Sequence, residues 1–301
     1  MRFVTFRDPG TGSARAGVVD GANVRALAAG ESLIDHLGDL AGVTSGDEVF
    51  ALEDLTLLSP IPTPTTVRDF YAFEQHVRTA RKKRGLEMDP DWYELPVFYF
   101  SNPYAVNGPG AEIAIPPGSV ELDFELEVAA VIGKAGSDLS PTEAEDHIAG
   151  FTIMNDWSAR DVQRREMKLS MGPVKGKDFA TTLGPYLITP DELEESRKGR
   201  AYDLAMVARV NGKEYSRASL ADIFWGFGEM IAYASRGTRV EVGDIIGPGT
   251  CGTGCILELS LVHGGDAFPY LKPGDEVELE VDQLGVLANR VVEGAPLRPL
   301  R

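Results

Sequence analysis

The stretch of sequence that decides the fold is residues 120–132, which read VELDFELEVAAVI. In its first part, acidic residues alternate with Leu122, Phe124, Leu126 and Val128. Because successive side chains of a β-strand point to opposite faces, this alternation predicts a strand with one apolar and one acidic face. The apolar run that follows, AAVI, predicts that the same strand continues into the protein interior.

The acidic face of this predicted strand carries Glu121, Asp123, Glu125 and Glu127. Neighbours on one face of a strand have Cβ atoms about 6–7 Å apart, so Glu125 and Glu127 can converge on one divalent cation, which prefers oxygen ligands. The alternative is an edge strand whose acidic face is merely solvated. Burial of the strand argues against this alternative, because buried like charges need a neutralising partner such as a metal ion.

A further carboxylate comes from residues 151–161, which read FTIMNDWSARD. The pattern predicts an apolar strand that ends at Asp156 and turns into a helix carrying Arg160 and Gln163. Rigid scaffolds often place functional side chains where strand ends open into loops. The alternative for Asp156 is a helix N-cap, a position that aspartate favours.

A glycine-rich loop follows at residues 172–179, which read GPVKGKDF and contain Lys175 and Lys177. The spacing does not match the GxxxxGK[ST] pattern of a phosphate-binding loop. Taken singly, each lysine is expected at the protein surface.

Composition restricts the class of protein. The chain has 301 residues, 43% of them hydrophobic, and a formal net charge of −17. Such an acidic surface repels nucleic acid and anionic membranes, and no apolar run approaches the roughly 18 residues of a spanning helix. The amino terminus has no signal-peptide pattern, and two cysteines are too few for a disulfide scaffold. We therefore expect a soluble cytoplasmic protein with reduced thiols.

The chain divides into two predicted parts, a small N-terminal α+β module at residues 1–60 and one large domain at residues 61–301. The proline-rich segment 59–66, SPIPTPTT, lies at their junction and cannot continue a helix or a central strand. Beyond it, short apolar runs bounded by Gly and Pro, including residues 256–262, predict many strands and few helices. The predicted fold is a mixed, β-rich α+β fold with a large curved sheet.

Apolar residues recur at helical spacing between residues 69 and 84 and predict a helix over that range. On such a helix Asp69 and His76 would lie two turns apart, about 10 Å, on one face. His76 is then either a structural histidine beneath the helix or a functional group. The helix ends in a cationic segment, whose members are Arg78, Arg81, Lys82, Lys83 and Arg84. This segment is either a solvated helix end or a lid that attracts a substrate carboxylate.

Three of these motifs together resemble the fumarylacetoacetate hydrolase family: residues 123–127 (DFELE), 155–161 (NDWSARD) and 176–179 (GKDF). Residues 69–76 (DFYAFEQH) and 256–258 (ILE) are similar to the fumarylacetoacetase branch of that family. The resemblance covers roughly residues 60–285. It implies a curved β-sandwich or β-roll as the C-terminal domain, a homodimer, and a divalent-metal-dependent hydrolase that cleaves the C–C bond of a 2,4-diketo acid such as an acylpyruvate.

The resemblance also implies roles for individual residues. The implied ligands of a Mg²⁺ or Mn²⁺ ion, preferred here to Ca²⁺, are Asp69, Glu125, Glu127 and Asp156. The implied catalytic groups are His76 as general base, Glu258 as its orienting partner, and Arg160, Gln163 and Lys177 around the developing oxyanion. The implied substrate contacts are Tyr99, Thr181 and Thr250. The sequence departs from the family pattern at Asp178, where a small serine is usual.

Two other functions remain open at this stage. The first is an isomerase, hydratase, dehydratase or decarboxylase of oxo acids that uses the same metal and an enolate. The second is a metal-dependent carboxylate-binding protein without turnover. The pair His76 and Glu258 favours hydrolysis, because enolate chemistry without attack by water has less need of a general base paired with a carboxylate.

Overall fold

A twelve-stranded and a five-stranded β-sheet carry most of the strands in the computed structural model. The structure describes residues 1–83 and 85–301, so Arg84 of the cationic segment lies outside the described residues. In chain order the strands are β1 (Arg2–Arg7), β2 (Ala14–Asp20), β3 (Asn23–Ala26), β4 (Val49–Ala51), β5 (Leu57–Leu58), β6 (Val67–Phe70), β7 (Phe98–Ser101), β8 (Val106–Asn107), β9 (Glu112–Ala114), β10 (Leu122–Asp123), β11 (Leu126–Ile132), β12 (Ile148–Asp156), β13 (Ser158–Ala159), β14 (Thr181–Ile188), β15 (Arg197–Lys198), β16 (Ala201–Tyr202), β17 (Ala205–Val210), β18 (Lys213–Ser219), β19 (Ile245–Gly247), β20 (Glu276–Val281) and β21 (Gly285–Val292).

The α-helices are short and lie between the strands. In chain order they are α1 (Glu74–Lys83), α2 (Pro141–Glu145), α3 (Arg160–Glu166), α4 (Pro190–Leu193), α5 (Phe227–Ser235) and α6 (Ile256–His263). Among the described residues, no helix combines the length and the apolar character that crossing a lipid bilayer requires.

The strand order explains how the two sheets are built. The larger sheet runs β4-β3-β2-β1-β14-β12-β11-β19-β6-β7, with β5 paired to β1 and β8 paired to β14. The smaller sheet runs β18-β17-β20-β21-β9. Both sheets are open and neither closes into a barrel. The prediction of a mixed, strand-rich α+β fold is confirmed.

Strand β11 is buried on both of its faces. Val128, Ala130 and Ile132 belong to the core that also contains apolar side chains of the smaller sheet. Ala129 and Val131 point the other way, into a second core. The sequence of a strand that is covered on both faces is a continuous apolar run, which explains the AAVI segment. The predicted burial of this strand is confirmed.

The strands of residues 1–60 extend the larger sheet. Strand β1 pairs antiparallel with β14, with Arg2 opposite Ile188. Leu27 and Leu33 pack in the same core as Val131, so this part of the chain covers one face of the central strands. The division at residue 60 stays a prediction.

Three local predictions differ from the structure. The strand predicted over residues 120–132 is interrupted between β10, which pairs with β13, and β11, which pairs with β12 and β19. The carboxylate of Asp123 accepts hydrogen bonds from the backbone of Ile256 at 2.7 Å and of Leu257 at 2.9 Å. The same two bonds cap the start of α6, so the strand predicted at residues 256–262 is wrong. A short apolar run fits either a strand or a buried helix, and here the cap and the burial of Ile256 and Leu259, three residues apart, belong to a helix.

The helix predicted from residue 69 starts later. Asp69 lies on β6, which pairs parallel to β19, and α1 begins only at Glu74. Asp69 and His76 therefore belong to different elements, and the predicted separation of two helical turns is wrong. The apolar residues of β6 and α1, taken together, are spaced as in one helix, which explains why the sequence pattern predicted a single helix here.

Candidate functional site

Four buried carboxylates meet in the centre of the larger sheet. Glu127 lies on β11, Asp156 ends β12, Asp69 lies on β6, and Glu125 immediately precedes β11. Because β12, β11, β19 and β6 are successive neighbours, the sheet brings these side chains together. An oxygen of each lies within 4.8 Å of an oxygen of every other, and we call these four residues the carboxylate cluster.

Two glycines make room for the carboxylate cluster. A Cβ atom on Gly247, the last residue of β19, would lie 2.7 Å from Asp69 Oδ1 and 3.0 Å from Glu127 Oε2. Gly249 has a φ of +81° and its backbone N–H donates to Asp69 Oδ1 at 3.0 Å and to Glu127 Oε2 at 3.1 Å. The chain after β19 therefore needs glycine both for space and for a left-handed conformation.

Two buried cations partly neutralise the cluster. Lys177 Nζ donates to Glu125 Oε2 at 2.6 Å and also to Asp156 Oδ2. Arg160 donates to Glu125 Oε1 at 2.7 Å and to Asp123 Oδ2 at 2.7 Å. Lys177 is 3% exposed, so the expectation of a surface lysine is wrong, because these two carboxylates pair with its charge.

The pKa values of the cluster show how the charges are balanced. Burial and then repulsion from Asp156 raise the pKa of Asp69 to about 8. Burial and then Asp69 hold the pKa of Glu127 well above its usual range, and burial raises the pKa of Asp156 more than Lys177 lowers it. Burial also disfavours the charge of Glu125, but Lys177 and Arg160 outweigh it and lower the pKa of that carboxyl. Glu125 is thus ionised, whereas the other three carboxylates have too little positive charge nearby to favour their ionised forms.

The donor set of the cluster fits a hard divalent cation. Glu127 Oε1 and Asp156 Oδ1 are buried and have no hydrogen-bond partner among the residues that the structure describes. A buried polar atom without a partner is costly, and a cation would provide one for both oxygens. Four carboxylate oxygens within 4.8 Å of one another match the all-oxygen coordination of Mg²⁺, Mn²⁺ or Ca²⁺. These residues could therefore hold such an ion.

Tyr99 on β7 closes one side of the cluster. Its hydroxyl contacts Asp69 Oδ2 at 2.9 Å and also Asp156 Oδ2. A phenol carries one hydrogen, so it donates to only one of the two carboxylates at a time. Burial and then Asp156 hold the pKa of Tyr99 well above its usual range, so the hydroxyl keeps its proton and remains a donor.

A histidine–carboxylate pair lies on two helices, with His76 on α1 and Glu258 on α6. His76 Nδ1 lies 3.0 Å from Glu258 Oε2, and both side chains are buried. The same Glu258 oxygen accepts the backbone N–H of Thr253 at 2.9 Å, which fixes the carboxylate. With Nδ1 bound to Glu258, Nε2 is the ring nitrogen left for another group.

His76 of the pair and two members of the cluster line one cavity of about 710 Å³. Its lining includes His76, Asp69, Glu125 and Lys177. A cavity of this size suits a small-molecule ligand, and the mixture of apolar walls with a few placed polar groups is typical of such sites.

The other predicted site residues fall into two groups. Arg160, Gln163, Tyr99 and Thr250 line the same cavity, and Gln163 accepts a hydrogen bond from Arg160 at 3.1 Å. Thr181, on β14, is fully buried and does not line the cavity, but it lies opposite Asp156 of the cluster in the pairing of β12 with β14.

The sequence-based site lacked two residues that the structure brings to it. Asp123 anchors Arg160 and caps α6 with the same carboxylate, and Asn155 Oδ1 accepts the backbone N–H of Glu125 at 3.0 Å. Their position next to Glu125 and Asp156 in the quoted motifs was the available signal. Their roles depend on contacts between segments far apart in the chain, which spacing does not reveal.

The fold and the site together define a class, namely strand-rich α+β proteins that hold a buried carboxylate cluster and a histidine–carboxylate pair around one cavity. The sequence profile described as "Fumarylacetoacetate (FAA) hydrolase C-terminal" matches residues 65–292, and one described as "Rv2993c-like, N-terminal" matches residues 1–60. The first match spans more than half of the chain. The chain belongs to the fumarylacetoacetate hydrolase family.

Similar proteins in this family carry different activities in their names. The chain is 29% identical to oxaloacetate tautomerase YisK of Bacillus subtilis (strain 168) over 281 residues, covering 91% of this chain and 87% of the relative. It is 30% identical to fumarylacetoacetase of Oryza sativa subsp. japonica over 284 residues, covering 76% of this chain and 66% of the relative. A solved structure of fumarylacetoacetate hydrolase (EaFAH) from psychrophilic Exiguobacterium antarcticum matches with a TM-score of 0.77 and 27% identity, covering 97% of this chain and 99% of that one.

Proposed function

We propose that this protein is a divalent-metal-dependent hydrolase that cleaves the C–C bond of a 2,4-diketo acid of the acylpyruvate type. The observation that carries this proposal is the pair His76–Glu258, joined at 3.0 Å, whose histidine lines the same cavity as Asp69 and Glu125 of the carboxylate cluster. Attack by water on a carbonyl carbon needs a general base, and a histidine held by a carboxylate is suited to that task.

The ligands of the ion in this proposal are the four members of the carboxylate cluster, with Mg²⁺ or Mn²⁺ as the expected metal. The two buried oxygens without a partner, on Glu127 and Asp156, support this assignment. When bound, such an ion supplies Lewis acidity for the oxygens of a 2-oxo acid and for the enolate that departs.

His76 takes part in two proton transfers in this reaction, first as the acceptor and then as the donor. Its Nε2 takes a proton from water as the water oxygen bonds to the acyl carbonyl carbon, and Glu258 stabilises the resulting imidazolium through Nδ1. The bond between that carbon and the neighbouring CH₂ group then breaks. The proton on Nε2 passes to the departing carbanion, so one water molecule is consumed and two carboxylic acids are formed.

Arg160, Gln163 and Lys177 supply the polar surroundings of the tetrahedral oxyanion in this proposal. Arginine has five N–H donors, and Arg160 uses three of them on Asp123, Glu125 and Gln163. The remaining donors are available to a ligand in the cavity. One correctly placed donor of this kind typically stabilises a transition state by about 3–4 kcal/mol.

The second candidate is a tautomerase of oxo acids. The observation that favours it is the similarity to the Bacillus oxaloacetate tautomerase along 91% of this chain. His76 could move a proton between carbon and oxygen of an enol and its ketone without any attack by water. The two candidates share the site and differ in whether a C–C bond breaks.

An assay of products separates the two candidates. We would incubate the protein and Mg²⁺ with acetylpyruvate, follow the near-ultraviolet absorbance of its enol, and measure pyruvate with lactate dehydrogenase. Hydrolysis yields one pyruvate per acetylpyruvate lost, whereas loss of absorbance without pyruvate, or turnover of enol-oxaloacetate alone, would contradict the hydrolase. Controls are EDTA and His76→Gln, both of which should abolish pyruvate formation.

A second cavity of about 480 Å³ adjoins the first and supports an anionic substrate. It shares Arg160 and Gln163 with the first cavity and carries the cations Lys83, Arg164 and Lys168.

We further propose that the protein is cytoplasmic and forms a homodimer. Each chain of the dimer consists of two parts, residues 1–60 and residues 61–301. Analytical ultracentrifugation of the full chain measures the oligomeric state, and a monomeric mass would contradict the dimer.

A further inference from the structure

A thiol lies beside the histidine–carboxylate pair and has no part in the proposed reaction. Cys255 directly precedes α6, three residues before Glu258, and is fully buried. Residues three apart at the start of a helix lie on the same side of it. A ring nitrogen of His76, the sulfur of Cys255 and a carboxylate oxygen of Glu258 all lie within 4.8 Å of one another.

The ligand types of this group differ from those of the carboxylate cluster. The cluster offers only oxygen atoms, which suit Mg²⁺ or Mn²⁺. The group of His76, Cys255 and Glu258 offers nitrogen, sulfur and oxygen, which is the donor set of zinc sites. We infer that these three residues form a second metal site, selective for Zn²⁺ and similar thiophilic ions, whose occupation blocks the histidine–carboxylate pair.

The spacing of the three ligand atoms supports this site. Tetrahedral zinc with bonds of about 2.0–2.3 Å places its ligand atoms roughly 3.3–3.8 Å apart. His76 Nδ1 and Glu258 Oε2 are already in contact at 3.0 Å, so an ion between them would separate these two atoms slightly, and Cys255 Sγ lies within 4.8 Å of a ligand atom of each residue. Three protein ligands leave the fourth position for water or an anion, as in sites that are open to solvent.

The cavity provides the route by which an ion reaches the site. His76 lines the cavity of about 710 Å³, and Cys255 and Glu258 are buried next to it within 4.8 Å. Binding at Sγ replaces the S–H bond by a bond to zinc and releases that proton to solvent, and binding at His76 Nδ1 moves the ring proton from Nδ1 to Nε2. No oxidant or reductant takes part.

The consequence for the protein is inhibition by a metal other than the one that supports activity. A zinc ion between His76 Nδ1 and Glu258 would leave the ring proton on Nε2, the atom that has to accept a proton from water, whereas Mg²⁺ at the carboxylate cluster leaves the pair intact. The binding part of this inference stands independently of the proposed function, and only the inhibition part rests on it. The structure also supplies a matched control, because Cys251 is equally buried but is not a member of the group.

The test uses Co²⁺ as a spectroscopic substitute for Zn²⁺ on the full chain in excess Mg²⁺, which keeps the carboxylate cluster filled. Thiolate coordination gives Co²⁺ an intense near-ultraviolet charge-transfer band that oxygen ligands do not give. We expect one band per chain in the wild type, loss of the band in Cys255→Ser and Cys255→Ala, and its retention in Cys251→Ser. Zn²⁺ should remove the band by competition.

Three results of the Co²⁺ experiment would overturn the inference of a zinc site. These results are absence of the band in the wild type, its persistence in both variants of Cys255, or its loss in Cys251→Ser while that variant keeps the wild-type circular dichroism. For inhibition, loss of a partner that only supports a metal ligand costs about 10–100-fold in affinity, so loss of the direct ligand Cys255 should raise the half-inhibitory Zn²⁺ concentration at least about 100-fold. An equal half-inhibitory concentration in wild type and Cys255→Ser would contradict the inference. Failure of the proposed function would remove turnover but leave the Co²⁺ band unchanged.

Discussion

The two walls of the cavity are built in different ways. The wall with the carboxylate cluster consists of adjacent strands of the larger sheet, where strand pairing fixes the backbone of Asp69, Glu127 and Asp156, and Glu125 immediately precedes β11. The wall with His76 and Glu258 consists of α1 and α6, which meet through a few contacts, among them the 3.0 Å bond of that pair. The first wall holds repelling charges in place, and the second wall holds one proton-transfer pair.

This difference implies separate functions for the two walls. Carboxylates with pKa values raised by burial are costly without a cation, and only a rigid sheet keeps them together. A base that takes and returns a proton needs an accessible nitrogen and a fixed partner, which two short helices provide. Changes in the first wall should therefore alter metal binding and turnover together, and changes in the second should alter turnover alone.

The largest expected effect comes from Glu127→Gln in the strand wall. Loss of this ligand should lower kcat about 10⁴-fold, since Lewis-acid stabilisation of the enolate is worth several kcal/mol. It should also abolish the rise in Tm that Mg²⁺ gives the wild type, because binding to the folded state alone is what raises Tm. Activity assays and thermal unfolding with and without Mg²⁺ measure both effects.

The matched control for that change is Glu121→Gln. Glu121 lies on the same stretch of chain but pairs with the exposed Arg164 outside the cluster. The Mg²⁺-dependent rise in Tm should survive in this variant. An intact Mg²⁺ response in Glu127→Gln would show that the cluster is not the metal site.

The next effect comes from His76→Gln in the helix wall. Loss of the general base should lower kcat about 10³-fold, and the Mg²⁺-dependent rise in Tm should remain. His263→Gln is the matched control, because His263 lies on α6 with Glu258 but is exposed. If His76→Gln kept wild-type turnover, the second wall would have no catalytic role.

The dependence of metal affinity on pH separates the walls further. The raised pKa of Asp69, about 8 against an ordinary 3.8, means that the folded metal-free protein holds this proton at neutral pH. The stability that this proton contributes is complete below the ordinary pKa and is lost as the pH rises through about 8. An ion must displace this proton and any proton held by Glu127, whose pKa is also raised, so Mg²⁺ affinity should rise at least about tenfold per pH unit between pH 6 and 8.

Isothermal titration calorimetry in buffers of different ionisation enthalpy measures the protons released when Mg²⁺ binds. We expect at least one proton per ion at pH 7 and fewer above pH 8. Asp69→Asn should lower this release by about one proton, whereas His76→Gln should keep it. A wild type that releases no proton at pH 7 would contradict the charge balance of the cluster.

The same comparison shows what the sequence could reveal. The strand wall was predictable in its main residues, because a period of two puts Glu125 and Glu127 together and an apolar run marks burial. The helix wall was not predictable in this way. The spacing of apolar residues predicted one helix for Asp69 and His76, and it predicted a strand where the structure has α6. The hydrogen bonds from the start of α6 to Asp123, which decide that the run is a helix, join residues more than 130 positions apart.

The pair of Lys177 and Glu125 shows the same limit. Nothing in the glycine-rich loop distinguishes a surface lysine from a buried one, because the carboxylates that pair with it come from other strands. The position of Lys177 in the site therefore came from the family resemblance. Local patterns predict which face a residue takes, and only tertiary contacts decide which charges meet.

The smallest expected effect comes from the cationic segment at the end of α1, next to the cavity that adjoins the first. Lys83 at the end of α1 lines the adjoining cavity, whereas Arg81 of the same cationic segment is held by the backbone of Glu87 at 2.6 Å. An exposed ion pair is worth about 0.2–1 kcal/mol, so Lys83→Ala should raise KM roughly two- to fivefold for fumarylpyruvate, which has a distal carboxylate. It should leave KM for acetylpyruvate unchanged, because that substrate has none.

Lys82→Ala is the matched control, since Lys82 is exposed on the same turn of α1 and does not line the cavity. Both the KM effect of Lys83→Ala and its substrate dependence should weaken in high salt, because exposed charges are screened. Equal KM changes for the two substrates would mean that Lys83 acts on the shape of the helix wall and not on a substrate charge. That result would assign the cationic segment to a solvated helix end and leave recognition of the substrate to the strand wall alone.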